Sequence, residues 1–182
     1  MRLFAIVTVL VTIGGAMHAQ ESRTAITSPA VAQEDQRPNS ESVPAGYSIP
    51  TNFQRVLIVR LKYGTDLLDG LDSLIHQEHI HNGIILAGIG SVRNYRYHTV
   101  GNRTFPSQDV IVSNPTAPAD IASMNGYIVA GRIHTHITFS DPNHAFGGHL
   151  EKGTNVFTFA IVTIGILADG TDIKRIDDKT FR

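Results

Sequence analysis

The chain has 182 residues, of which 42% are hydrophobic and 17% charged, with a formal net charge of -1 and no cysteine. This composition is sufficient to bury a core, which excludes a wholly disordered chain. The missing cysteines exclude disulfides, thiolate metal sites and cysteine nucleophiles, and the scattered Lys and Arg residues form no basic patch of the kind that binds nucleic acid.

The N-terminal residues have the three-part layout of a secretory signal peptide. Arg2 supplies a positive charge, residues 3–13 are almost wholly apolar, and small residues follow before His18. The apolar run is shorter than the roughly 20 residues that span a bilayer, although an uncleaved anchor is the alternative. We therefore predict a signal peptide over residues 1–19, no membrane span after its removal, and a periplasmic or secreted protein.

The next segment differs in composition from the rest of the chain. Residues 20–50 are rich in Ser, Pro, Ala, Gln and Glu and have no apolar period of 2 or 3.6. Such a composition is typical of a disordered linker. We predict a linker over residues 20–50 and a single domain over residues 51–182.

The domain opens with a predicted strand and a predicted helix. Residues 55–61 form an apolar, β-branched run that is typical of a strand. Thr65 is the predicted N-cap, and apolar residues recur at helical spacing from Leu67 to Ile75. The helix is expected to end near residues 81–83, where His-Asn-Gly is typical of a left-handed cap.

The remainder of the domain is predicted to consist of strands. They are expected over residues 83–89, 94–100, 109–113, 126–130, 132–139 and 155–167, with a short edge strand over 173–176. One helix followed by many strands, without β–α alternation, predicts an α+β fold. Its main feature would be a mostly antiparallel β-sheet packed against one main α-helix.

Three histidines in the second half of the domain carry the strongest chemical signal. His134 and His136 are two residues apart on a predicted strand and therefore project from the same face. After a turn the chain returns through Gly147 and Gly148 to His149, which a hairpin would bring beside the first two. Three neutral imidazoles with an open fourth position form a known zinc site. We predict that these histidines bind a divalent metal such as zinc.

Several functions remain open at this point. Glu151, Gly147 and Gly148 are predicted to bind a small ligand beside the metal. The leading hypothesis is a binding module for metal and small ligands. The alternatives are a metal-dependent hydrolase or lyase, in which Glu151 would act as base toward a bound water, and a non-catalytic oligomeric scaffold. Histidines that merely pack and hydrogen-bond would suit the scaffold.

These motifs resemble the PPC family, a domain found in plants and prokaryotes. The resemblance rests on Gly-x-x-His-x-His at 131–136, Ser-Asp-Pro at 140–142, Gly-Gly-His-Leu at 147–150, and the weaker segments 61–74 and 84–91. Together these motifs extend the resemblance over residues 53–166.

The resemblance implies an antiparallel sheet with a packed helix, a homotrimer, and a metal site at His134, His136 and His149. The biochemical role of prokaryotic members of this family is mostly unassigned, so the resemblance does not indicate a specific activity. In plants the domain follows AT-hook motifs in DNA-associated proteins, but this sequence has no Arg-Gly-Arg-Pro hook. The expected partners are therefore further copies of the chain and a small-molecule ligand, and not DNA.

Overall fold

The structure, a computed structural model, describes residues 24–30, 41 and 43–177. The predicted signal peptide over residues 1–19 lies outside the described residues, as do several stretches of the predicted linker. The boundaries between signal peptide, linker and domain therefore stay predictions. Within the described part of the chain, no helix is long and apolar enough to cross a membrane.

The described residues form eight β-strands and one α-helix. In chain order they are β1 (Ala25–Thr27), β2 (Phe53–Lys62), α1 (Leu67–Gln77), β3 (Gly83–Val100), β4 (Asp109–Asn114), β5 (Ala119–Val129), β6 (Arg132–Ser140), β7 (Ala145–Leu150) and β8 (Asn155–Leu167). A short 3-10 helix follows at Lys174–Asp177. The predicted fold, an antiparallel sheet with one main helix, is confirmed.

The eight strands form a single sheet in which all pairs are antiparallel. β3 is its centre, since its 18 residues pair with β5 and β8 through the first half and with β4 and β7 through the second. The sheet continues from β5 to β6 and from β6 to β7. Because β7 returns to β3, strands β3, β5, β6 and β7 close into a ring, called the strand ring below.

An aromatic cluster fills the interior of the strand ring. Tyr95, Tyr97, Phe139 and Phe146 have ring centroids 4.9 to 6.2 Å apart, and Phe139 is fully buried. Successive side chains on a strand point to opposite faces. The residues that alternate with these aromatics therefore lie on the outer face of the ring.

The helix α1 adds its apolar face to the same core. Leu67, Leu71 and Ile75 follow one another at intervals of four, so they share one side of the helix. All three are buried and belong to the main core cluster with residues of the sheet. Full burial of such a side chain stabilises the fold by about 1.5–3 kcal/mol.

The helix begins one residue later than the sequence predicts. Asp66, and not Thr65, is the N-cap, because its Oδ1 accepts hydrogen bonds from the backbone N–H groups of Leu68 and Asp69, both at 3.1 Å. Its Oδ2 accepts a bond from the backbone N–H of Gly153 at 2.6 Å. A carboxylate can thus cap the helix and hold the loop before β8 at the same time, which a single hydroxyl could not do.

The helix also ends earlier than the predicted boundary at residues 81–83. Its last residue is Gln77, and His79 takes the left-handed conformation with φ of 54°. The next residue, Ile80, is buried and donates its backbone N–H to the carbonyl of Ile75 at 2.9 Å. Burial of this isoleucine therefore turns the chain before the Asn-Gly sequence is reached.

β3 is one continuous strand, although the sequence predicts separate strands over 83–89 and 94–100. The glycine that suggests a break lies inside the strand. A Cβ on Gly90 would collide with the carbonyl oxygen of Phe159 on β8. Glycine is therefore used here for close approach of two strands and not for a turn.

Three further elements differ from the predictions. β5 begins at Ala119 and not at residue 126, because its first half pairs with β3 and β6 and buries Ile121 and Met124 in the core. β1 is a strand that the sequence does not predict, and it lies in the predicted linker, whereas β7 is the return strand of the predicted hairpin. The predicted edge strand over 173–176 is instead a 3-10 turn, since the Asp172 carboxylate accepts a hydrogen bond from the backbone N–H of Lys174 at 3.0 Å.

Candidate metal centre

Four histidines from three neighbouring strands lie together on the outer face of the strand ring. β6 contributes His134 and His136, β7 contributes His149, and β3 contributes His98. In the strand register His149 is paired with His136 on one side and with His98 on the other. Because neighbouring strands are about 4.8 Å apart, three imidazoles stand in a row across the sheet. This row exists only because β7 closes the ring.

The structure brings together the three histidines that the sequence singles out. His134, His136 and His149 each offer one ring nitrogen, and these atoms lie within 4.8 Å of one another. The ring centroids are 4.8 to 5.6 Å apart. The rings of His134 and His136 are nearly parallel, at 12°, while His149 stands at 76° to both. Three nitrogens from rigid strands thus surround one small volume.

The environment of His136 favours its neutral form. Partial burial is the main cause that lowers the pKa of this imidazole, and the neighbouring His134 and His98 add electrostatic repulsion of a proton. His136 as a whole nevertheless remains exposed to solvent. A neutral imidazole has the free lone pair that a metal ion requires.

The lowered pKa of His136 predicts a pH effect on the stability of the metal-free protein. The unfolded chain takes up this proton near its ordinary pKa of 6.5, whereas the folded chain takes it up only at lower pH. The contribution of His136 to the free energy of unfolding is therefore complete above pH 6.5 and is lost as the pH falls from there toward the folded pKa. Chemical denaturation between pH 8 and pH 5, in chelator, should show a steeper decline for the wild type than for His136→Gln. Equal slopes would contradict this assignment.

Gly147 and Gly148 allow β7 to fit between its two neighbours. A Cβ on Gly147 would collide with the carbonyl oxygen of Ile137 on β6, and a Cβ on Gly148 would collide with that of His98 on β3. Both glycines are therefore required for the close approach that places His149 in the row. Their predicted role in ligand binding stays a prediction.

Glu151 is held beside the histidines by His98. The imidazole Nδ1 of His98 and Oε1 of Glu151 are 2.6 Å apart, and the backbone N–H of Glu151 donates to the carbonyl of Arg96 at 3.1 Å. The His98 ring also stacks on that of His149, with centroids 4.4 Å apart. Glu151 therefore lies at the cluster that the sequence predicts, but it is already engaged.

His98 is a member of the cluster that the sequence does not predict. The alternation of Tyr95 and Tyr97 with Arg96 and His98 does indicate that His98 lies on the polar face of its strand. Nothing local, however, indicates that this end of β3 pairs with β7. The contact between His98 and Glu151 joins residues 53 positions apart.

Four histidines among the described residues lie outside this cluster and are exposed. His76, His79 and His81 lie around the end of α1, and His76 is 3.7 Å from the carboxylate of Asp72. His144 is 74% exposed and lies outside the metal cluster. It therefore offers a matched control for substitutions of the clustered histidines.

Comparison with known families finds one match. Residues 49–168 match the Plants and Prokaryotes Conserved (PCC) domain. Among curated proteins, the bifunctional protein GlmU of Synechococcus sp. strain JA-3-3Ab is 25% identical over 139 residues, which is 76% of this chain. The chain spans only 21% of that protein's length.

Solved structures with the same fold include two archaeal proteins. A plant- and prokaryote-conserved protein of Pyrococcus horikoshii has a TM-score of 0.57 and 21% identity, with 69% of this chain and 87% of that one covered. The metal-containing protein AF0104 of Archaeoglobus fulgidus has a TM-score of 0.55 and 21% identity, with 68% and 86% covered.

A candidate DNA-binding protein of Bacteroides thetaiotaomicron also has this fold. Its TM-score is 0.51 at 18% identity, with 64% of this chain and 83% of that one covered. At these identities the solved structures establish the common fold.

Proposed function

Because the chain belongs to the Plants and Prokaryotes Conserved domain family, as its sequence motifs indicate, we propose that it is a metal-binding module of that fold. In this proposal His134, His136 and His149 hold one divalent cation such as zinc. The observation that carries the proposal is the convergence of their three ring nitrogens within 4.8 Å. The A. fulgidus protein of the same fold, which is described as metal-containing, supports it.

The donor set fits zinc on chemical grounds. Imidazole nitrogen is a favoured zinc ligand, and three protein ligands leave a position for water or another small ligand. The residues sit on paired strands, so little ordering is needed when an ion binds. A bound ion would polarise whatever ligand occupies the open position.

The proposed small ligand would enter beside β7. Gly147 and Gly148 are half-buried and precede His149 on β7, and Glu151 offers a carboxylate at the edge of the cluster. These three residues are our candidates for contacts with the ligand. Its chemical class is a small molecule that can coordinate a metal.

A hydrolase or lyase at the same residues is the second candidate function. Among the described residues, Glu151 is the one carboxylate in the candidate clusters, and a base is what this chemistry needs. Its 2.6 Å contact with His98 favours the binding module, because the carboxylate is already paired. Turnover of esters, phosphates or lactones that is lost with chelator would favour the enzyme instead.

Assembly and location complete the proposal. We propose a homotrimer and, from the predicted signal peptide, a periplasmic or secreted protein. Light scattering and cell fractionation test these two points. A stable trimer that takes up neither metal nor small ligand would favour the scaffold alternative. DNA is not among the proposed partners, although one protein of the same fold is a candidate DNA-binding protein.

Zinc is expected to stabilise the folded protein. An ion that binds only the folded state adds about 2.7 kcal/mol to the free energy of unfolding when its free concentration is 100 times Kd. Chemical denaturation of chelator-treated protein with and without zinc measures this. Magnesium is the matched control, because it prefers oxygen ligands. If zinc adds no stability beyond magnesium, the proposal fails.

A further inference from the structure

A second set of metal-ligating groups adjoins the three histidines. His98, His149 and Glu151 each offer one ligand atom, and these atoms also lie within 4.8 Å of one another. In this second set, His98 lies on β3, His149 lies on β7, and Glu151 is the first residue after β7. The second set shares only His149 with the first set.

The second set differs from the first in charge and in donor chemistry. It contains two imidazoles and one carboxylate, whereas the first contains imidazoles alone. Asp109 lies outside the set but adds negative charge at the other nitrogen of the His98 ring, with its Oδ2 3.9 Å from Nε2. Oxygen donors and negative charge shift preference toward harder divalent ions such as manganese and ferrous iron.

Within the second set, the geometry of His98 and Glu151 is suitable for binding a cation. His98 Nδ1 and Glu151 Oε1 are 2.6 Å apart, so one nitrogen donor and one oxygen donor already face the same point. A divalent ion placed there could contact both atoms. The backbone of Glu151 is fixed from two sides, since its N–H donates to Arg96 and its carbonyl accepts from the Thr154 hydroxyl at 3.2 Å.

We infer that His98, His149 and Glu151 form a second divalent-cation site, of mixed nitrogen and oxygen donors, which overlaps the three-histidine site. The inference rests on the proposed metal-binding function because His149 belongs to both sites. A neutral imidazole serves one ion at a time, so the two sites are alternatives. The chain therefore holds one ion, in a position set by the ion's donor preference.

The test uses the full chain, freed of metal and titrated separately with zinc and with manganese. Calorimetry follows zinc, and the electron paramagnetic resonance signal of free manganese follows manganese. The variants are His134→Ala/His136→Ala, the same double variant with Glu151→Gln, and His144→Ala as a control. Circular dichroism establishes that each variant is folded.

The double variant is expected to lose zinc affinity by roughly 100-fold, while it keeps manganese affinity within about tenfold of the wild type. Adding Glu151→Gln should then abolish manganese binding. Adding His98→Ala to the double variant, instead of Glu151→Gln, should also abolish manganese binding. This second variant keeps the test valid if the first one fails to fold.

The outcomes separate this inference from the proposed function. Loss of manganese together with zinc in the double variant would overturn the second site and leave the three-histidine site standing. Manganese binding without any zinc binding in the wild type would overturn the three-histidine site and leave the second. Two ions bound per chain would overturn the mutual exclusion.

Discussion

Replacement of His149 by alanine is expected to abolish binding of both zinc and manganese. This side chain is the only one common to the two ligand sets, and it stands between His136 and His98 in the row across the strands. Loss of a group that merely orients a ligand costs 10–100-fold in metal affinity, so loss of the shared ligand should cost roughly 100-fold or more. Calorimetric titration of chelator-treated protein measures it.

Two comparisons make this prediction specific. His144→Ala removes an imidazole that is 74% exposed and outside both sets, and it should bind metal as the wild type does. His136→Ala should weaken zinc far more than manganese. A His149→Ala protein that retains one ion per chain would show that neither ligand set is correct.

Replacement of Gly148 by alanine is expected to destabilise the fold and disrupt the site together. The added Cβ would collide with the carbonyl oxygen of His98, so β7 must move away from β3. Overpacking of this kind costs about 1–3 kcal/mol of unfolding free energy. The same movement separates His149 from His98. Manganese affinity should therefore fall further than in a variant that is equally destabilised but keeps β7 in place.

Urea denaturation and manganese titration of Gly148→Ala measure the two effects. Gly46→Ala is the matched control, because a Cβ there has no neighbouring atom within 4 Å. Unchanged stability in Gly148→Ala would mean that the strand ring does not depend on the close approach of β7 to β3.

Patterns within single elements could be predicted from the sequence. The spacing of two residues puts His134 and His136 on one strand face, and the recurrence of Leu67, Leu71 and Ile75 defines the buried side of α1. Each of these depends only on the geometry of its own strand or helix. The α+β fold class could also be predicted, because it follows from one predicted helix and many predicted strands without β–α alternation.

Features that depend on distant partners could not be predicted. His98 joins the cluster only through pairing of β3 with β7, and no local pattern specifies that pairing. Asp66 is preferred over Thr65 as the N-cap because its second carboxylate oxygen holds Gly153. Gly90 lies between the two strands that the sequence predicts over 83–89 and 94–100, whereas in the fold it serves close packing against β8. Tertiary contacts override local preference in each case.

The fold explains why a metal site would form at this place. Closure of the strand ring sets three strands edge to edge, with the aromatic cluster on the inner face and the histidines on the outer face. The hydrogen-bonded strands fix the spacing of the imidazoles before any ion arrives. Such preorganisation lowers the cost of binding.

Metal binding at the clustered histidines is tested most directly by the metal content of the purified full chain, prepared without chelator after growth with ample metal. Elemental analysis by mass spectrometry would count ions per chain, and the same analysis of His134→Ala/His136→Ala/His149→Ala would be its reference. We expect about one divalent ion per wild-type chain and none in the triple variant. A folded wild-type protein without metal, or a triple variant with as much metal as the wild type, would contradict this expectation.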